Sequence, residues 1–294
     1  MDTAEILKKI RTLEIRTRGL VETAFAGDYH SVFKGRGMNF EEVREYQPGD
    51  EIRTIDWNVT ARMGSAFVKK FTEERELTVM LIVDVSASGN FGSKTQSKRE
   101  LAAEVACLLA FSAIRNNDKV GLLLFTDRVE LFIPPKKGRS HTLRIIREIL
   151  FFEPLGRGTE PALALDYLNK VVTRRAVVFF ISDFQAPDFS QTLAVTGRRH
   201  DFIALKIEDE REKIFPNIGL ITLEDAETGD QIEINTANRG TRTRLAETAQ
   251  RHEAELARVL RRNNVDSIAL RTGEDYLPAL RAFFKQRERR LAVR

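Results

Sequence analysis

The sequence contains little cysteine and little histidine. Its 294 residues include one cysteine, Cys107, and four histidines, His30, His141, His200 and His252. A single cysteine cannot form a disulfide within the chain, which excludes a disulfide scaffold and fits a reducing compartment. The histidines are scattered, so neither thiolate nor imidazole ligands predict a zinc-type site. A metal ion would therefore have to be bound by oxygen atoms.

Long hydrophobic runs and a strong charge of one sign are absent as well. The apolar runs at residues 77–83 and 176–181 are far shorter than the roughly 18 residues that a membrane-spanning helix needs. The first residues lack the apolar stretch of a secretory signal. The net charge of +4 is spread along the chain and does not predict a specific nucleic-acid partner. We therefore expect a cytoplasmic protein without a membrane span.

Strand and helix patterns alternate from residue 77 onward. Residues 77–83 form a nearly continuous apolar run and residues 176–181 a continuous one, both rich in β-branched or aromatic residues, which is typical of strands buried on both faces of a parallel sheet. Helical spacing appears at residues 97–115 and 161–172, and again in a long helix from about residue 243 to 262. This alternation predicts an α/β fold with a doubly wound, mostly parallel sheet flanked by helices.

The sequence pattern also predicts how the chain divides. Residues 1–28 have apolar residues at helical spacing and predict an N-terminal amphipathic helix. Residues 29–76 contain short runs broken by turn residues and predict a small β-rich unit. Residues 214–238 contain a hairpin pattern, which we expect to pack with that unit. The α/β domain is then expected to comprise residues 77–213 and 239–294.

Oxygen-bearing side chains follow the buried strands. Asp84, Ser86 and Ser88 come at the end of the first strand, and Asp183 comes directly after the second. Thr159 lies in a glycine-bearing loop before a helix. Because ligands of open α/β sheets bind at the carboxyl edge, these side chains are expected to meet there. Carboxylates and hydroxyls are hard donors that suit Mg²⁺ or Mn²⁺.

The order of these residues resembles the metal-ion-dependent adhesion site of von Willebrand factor A-type domains. The resemblance implies a von Willebrand A-type fold and a ligand set of Asp84, Ser86, Ser88, Thr159 and Asp183 around Mg²⁺ or Mn²⁺. In that family some of these residues bind the ion through water, and an acidic side chain of a partner protein fills the sixth position. The implied function is metal-dependent protein binding.

A second resemblance covers most of the chain. Residues 37–57, followed by Thr-Ala-Arg at residues 60–62, are similar to the signature of the bacterial domain of unknown function 58 family, which precedes a von Willebrand A-type domain. Members of this kind accompany MoxR-type AAA+ ATPases in chaperone-like maturation or remodelling of other proteins. Many members have transmembrane segments, whereas the short apolar runs here favour a cytosolic version. Phe91 departs from a Met that is often found just after the site in relatives, and we expect metal binding to tolerate this.

Two enzymatic patterns are incomplete. A nucleotide-binding P-loop requires Gly directly before Lys, and here Ser93 separates Gly92 from Lys94. A haloacid dehalogenase-type phosphatase requires a second Asp two residues after its nucleophile, but Ser86 follows Asp84 at that spacing. We therefore expect a non-enzymatic, metal-dependent protein-binding module. A Mg²⁺-dependent phosphatase using Asp84 and a scaffold with a vestigial metal site are the alternatives.

Overall fold

The structure is a computed structural model, and it describes Tyr29, Val32 and residues 39–72, 76–92, 96–186 and 188–292. The N-terminal helix predicted at residues 1–28 lies outside the described residues. The chain divides into two compact units, of which the smaller comprises residues 33–76. The boundary falls directly before the first buried strand.

The smaller unit combines a strand pair with a short helix. Strand β1 (Asn39–Glu45) pairs with β2 (Phe67–Thr72) in an antiparallel sheet. Between them, helix α1 (Trp57–Met63) begins after Asp56, whose carboxylate accepts hydrogen bonds from two backbone N–H groups of the first turn. The helix ends at Gly64, which has a left-handed backbone with φ of 79°. The segment predicted as β-rich therefore also contains a helix.

The larger unit is built on a six-stranded sheet and a separate hairpin. The sheet strands, in chain order, are β3 (Thr78–Asp84), β4 (Lys119–Phe125), β5 (Val129–Lys136), β6 (Val177–Ser182), β7 (Asp201–Glu208) and β10 (Asp266–Arg271), and the hairpin strands are β8 (Leu220–Glu224) and β9 (Gln231–Asn235). Their order across the sheet is β10-β7-β6-β3-β4-β5. All neighbouring pairs are parallel except β4 with β5.

Helices cover the sheet. They are α2 (Lys98–Arg115), α3 (Arg139–Phe151), α4 (Pro161–Val171), α5 (Ser190–Arg199), α6 (Glu210–Lys213), α7 (Arg239–Arg262) and α8 (Leu277–Ala292). Leu165 of α4, Leu193 of α5 and Leu260 of α7 pack with Met80 and Phe180 of the sheet in one apolar cluster. In the described part of the chain, no helix is both long and apolar enough to cross a membrane.

The strand order creates a crevice at the middle of the sheet. The chain runs from β3 outward to β4 and β5 and then crosses to β6 on the other side of β3. The connection after β3 therefore leads to one side of the sheet, and the connection after β6 leads to the other. The crevice between the carboxyl ends of these two strands is the topological switch point, where open α/β sheets bind ligands. The predicted α/β fold is confirmed, with the antiparallel strand β5 at one edge. It is the architecture that the von Willebrand A-type resemblance implied.

Candidate metal centre

The candidate site begins at the paired ends of β3 and β6. Asp84 is the last residue of β3, and Ser182 is the last residue of β6. The Ser182 hydroxyl donates a hydrogen bond of 2.7 Å to the Asp84 Oδ2 atom. The Ser86 backbone N–H donates a bond of 2.9 Å to Oδ1 of the same carboxylate. Asp84 is thus held at the switch point with both oxygens engaged.

Two hydroxyl groups lie together beside Asp84. The Oγ atoms of Ser86 and Ser88 are 3.1 Å apart, and Ser86 is almost fully buried. Ser88 lies in a single 3₁₀ turn, Ala87–Asn90. This turn brings its hydroxyl back toward that of Ser86. The structure therefore brings together three of the predicted ligands, with one carboxylate and two hydroxyls.

The loop before α4 carries the buried Thr159 and is fixed by backbone contacts. The Ala87 N–H donates to the Arg157 carbonyl at 3.0 Å, which ties this loop to the serine turn. The Gly156 N–H donates to the Glu130 carboxylate at 2.7 Å. A Cβ at Gly156 would lie 2.2 Å from a side-chain oxygen of the β4–β5 turn, so only glycine allows this approach. The loop is thus held against both the serine turn and the end of β4.

Asp183 is bound by a lysine that the sequence analysis did not single out. The Lys98 ammonium donates to Asp183 Oδ2 at 2.7 Å and to Glu212 Oε1 at 2.5 Å. Burial alone would lower the pKa of Lys98, but the charges of Asp183 and Glu212 outweigh burial and raise the pKa above its ordinary value. Lys98 therefore stays charged and forms a buried ion pair with Asp183.

The backbone is strained next to Asp183. Phe184 has a φ of 58°, in the left-handed region that large side chains rarely adopt. Its N–H donates to the Ser182 hydroxyl at 2.9 Å, and its ring is buried against Phe180 and Phe189. Strain of this kind persists where the surroundings impose it, and it clusters at functional sites.

The electrostatics at Asp84 favour a cation. Burial, and then the nearby charge of Asp183, raise the pKa of Asp84 to about 6, although hydrogen bonds from Ser86 and Ser182 act in the opposite direction. The ionised form of Asp84 is therefore less stable here than in water. A bound cation would stabilise that form, since an opposite charge nearby favours the ionised carboxylate.

The donor set fits a hard divalent ion with hydroxyl ligands. Among the residues that the structure describes, no three carboxylate, imidazole or thiolate groups are placed to hold an ion by themselves. An ion at this edge would need the serine oxygens in addition to Asp84, and oxygen donors of this kind suit Mg²⁺ and Mn²⁺. Asp183 is close enough to Asp84 for their charges to interact. Thr159 donates a hydrogen bond of 2.6 Å to Glu227.

Two charged residues of the site were missed from the sequence, Lys98 and Glu227. The sequence does contain a signal for the position of Lys98 in the fold. Ser97 and Glu100 form a capping box, which predicts that a helix begins at Lys98. Glu227 gave no such signal, since its sequence neighbours predict only a hairpin turn. Burial raises the pKa of Glu227, and the charges of Asp183 and Asp225 raise it further.

Similar proteins support the family resemblance. The family described as "Protein of unknown function DUF58" matches residues 42–255. Uncharacterized proteins of Mycobacterium bovis and Mycobacterium tuberculosis are 32% identical over 292 residues, covering 98% of this chain and 92% of theirs. The protein YeaD of Bacillus subtilis is 24% identical over 167 residues, covering 57% of this chain and 40% of its own length.

Solved structures that match this chain have low sequence identity to it. An aerotolerance-related membrane protein from Bacteroides fragilis has a TM-score of 0.48 and 17% identity, covering 73% of this chain and 99% of that one. A von Willebrand A domain of SpRpn10 has a TM-score of 0.37 and 10% identity, covering 72% of this chain and 95% of that one. The family match and the mycobacterial relatives, each spanning most of the chain, decide the assignment: the chain belongs to the DUF58 family of proteins of unknown function.

Proposed function

We propose that this chain is a non-enzymatic protein-binding module whose binding depends on Mg²⁺ or Mn²⁺. One observation carries the proposal: the Asp84 carboxylate and the Ser86 and Ser88 hydroxyls converge at the switch point of the sheet. Open α/β sheets in general bind ligands at such a point, and Mg²⁺ and Mn²⁺ prefer oxygen donors of this kind.

Each residue of the site has a proposed role. Asp84, Ser86 and Ser88 would hold the ion, and Thr159 and Asp183 would complete the set, directly or through water. A divalent ion bound by so few carboxylates retains positive charge and attracts an acidic side chain from outside. Lys98 keeps the Asp183 carboxylate in place without occupying Asp84.

The proposed partner is a MoxR-type AAA+ ATPase, or a client protein that the two remodel together in the cytoplasm. Support for this part is the family membership and the signature at residues 37–57, since members of this kind accompany such ATPases. The partner would supply an Asp or Glu side chain to the ion. The same chemistry would serve chaperone-like maturation, in which a client must be held and released reversibly.

A pull-down with the purified AAA+ ATPase of the same organism tests this proposal. The wild-type chain should retain the ATPase in Mg²⁺ and lose it in EDTA, and Asp84→Asn should not retain it in either buffer. Asp166→Asn is the matched control, because Asp166 is an exposed carboxylate on α4 and is not among the predicted ligands. Retention that is equal with Mg²⁺ and EDTA would contradict metal-dependent binding.

A phosphate-ester assay tests the non-enzymatic part of the proposal. A phosphatase of the haloacid dehalogenase type needs an acid Asp two residues after its nucleophile, and Ser86 stands at that position after Asp84. We expect no turnover with Mg²⁺. Turnover by the wild-type chain that Asp84→Asn abolishes would show a phosphatase instead.

A further inference from the structure

The hairpin β8–β9 places an acidic side chain at the candidate metal centre. The Thr159 hydroxyl donates to the Glu227 Oε1 atom at 2.6 Å, across 68 residues of sequence. Thr159 is buried and Glu227 is half-buried, so this contact is partly shielded from solvent. An ideal Cβ at Gly158 would lie 3.7 Å from the other carboxylate oxygen of Glu227. The carboxylate therefore lies directly over the loop that carries a predicted ligand.

The turn that carries Glu227 is ordered by its own hydrogen bonds. The Asp225 carboxylate accepts bonds from the N–H groups of Glu227, at 2.8 Å, and Thr228, at 3.1 Å. The Asp225 N–H in turn donates to the Asp230 carbonyl at 2.8 Å. At the base of the hairpin, the buried Thr236 hydroxyl bonds to the Gly219 carbonyl at 2.7 Å. Glu227 is thus presented by a fixed turn.

The chemistry of Glu227 matches that of the ligand which the site is proposed to capture. Glu227 contacts the hydroxyl of Thr159, which is one of the five predicted ligands. Lys98 forms a direct ion pair with Asp183. A carboxylate held beside the Thr159 hydroxyl occupies space that an incoming carboxylate would need.

We propose that Glu227 takes the place of the partner's acidic side chain in the isolated chain, so that the β8–β9 hairpin is an internal competitor of the partner. The inference rests on the proposed metal-dependent function and adds a regulatory step to it. A tethered carboxylate has an effective concentration in the millimolar range or above, so an external carboxylate must displace it before binding. A partner that moves the hairpin would open the site.

Acetate binding to the Mn²⁺-loaded chain tests this inference. Acetate that replaces an ion-bound water lowers the relaxation rate of solvent protons, whereas acetate that replaces Glu227 leaves that rate unchanged. The relaxation rate should therefore fall on addition of acetate to Glu227→Gln, in which water takes the position of the competitor, and change little for the wild-type chain. Glu233→Gln, an exposed change of the same charge on β9, should behave like the wild-type chain.

A second variant distinguishes occupation of the site by Glu227 from simple charge repulsion between Glu227 and acetate. Glu227→Asp keeps the charge but is one methylene shorter, so it should lose the Thr159 contact and behave like Glu227→Gln. If Glu227→Asp behaves like the wild-type chain while Glu227→Gln does not, repulsion explains the effect and the inference is wrong. The inference also fails if all variants bind Mn²⁺ and respond equally to acetate, although the metal-binding proposal would then stand. A wild-type chain that binds no Mn²⁺ contradicts both.

Discussion

We expect Asp84 to destabilise the metal-free fold and to be necessary for the proposed function. Its carboxylate is partly buried, and the charge of Asp183 lies close to it. We predict that Asp84→Asn stabilises the metal-free chain by about 1–3 kcal/mol at pH 7, because it removes one of two neighbouring like charges. An Asn oxygen can still accept the Ser86 N–H bond. Urea unfolding in EDTA measures the change, and a lower free energy of unfolding in the variant would contradict this account of the site.

Lys98 has the opposite effect on stability. Its ammonium is buried between Asp183 and Glu212. Lys98→Met should lower the free energy of unfolding by about 3–5 kcal/mol, since it leaves the Asp183 charge buried without its partner. Lys170→Met, at an exposed position of α4, provides the control and should change stability by less than about 0.5 kcal/mol in urea unfolding. Equal losses in the two variants would show that the buried ion pair is not formed.

Two glycines, one in a strand and one in a helix, differ in the space that an added side chain would have. A Cβ at Gly121 of β4 would lie 2.6 Å from the Met80 sulfur and 3.0 Å from the Ile133 carbonyl oxygen. Gly121→Ala should therefore lower the free energy of unfolding by about 1–3 kcal/mol. A Cβ at Gly197 of α5 would make only ordinary contacts at 3.6 Å or more, so Gly197→Ala should raise it by about 0.5–1 kcal/mol. Denaturant unfolding checks both signs, and a stabilising Gly121→Ala would contradict the sheet packing.

The strands of the sheet could be predicted because their buried apolar residues follow one another directly in the sequence. Strands β3 and β6 lie within one residue of the apolar runs predicted at residues 77–83 and 176–181, because almost every residue in them is buried. Helix ends were less predictable. Helix α7 begins at Arg239 rather than near residue 243, because the Asn238 side chain caps it by accepting two backbone N–H bonds. Helix α1 was missed because its seven residues are too few to show a period.

At the scale of the whole molecule, the site is assembled from segments far apart in the chain. Sequence order predicted Asp84, Ser86 and Ser88 as neighbours, because one strand end holds all three. The partners of Asp183 and Thr159 could not be predicted in this way. Lys98 and Glu227 reach them across 85 and 68 residues, and only the three-dimensional packing of α2 and the β8–β9 hairpin determines these contacts.

Calorimetric titration of Mn²⁺ into the whole chain tests the central claim most directly. The wild-type chain should bind one ion, and saturation at a hundred times the dissociation constant should stabilise the fold by about 2.7 kcal/mol, visible as a higher unfolding temperature. Asp84→Asn should show neither the binding heat nor the shift, although it stays folded. If the wild-type chain shows no binding heat, or if Asp84→Asn binds Mn²⁺ as the wild-type chain does, the edge of the sheet at Asp84 is not a metal centre.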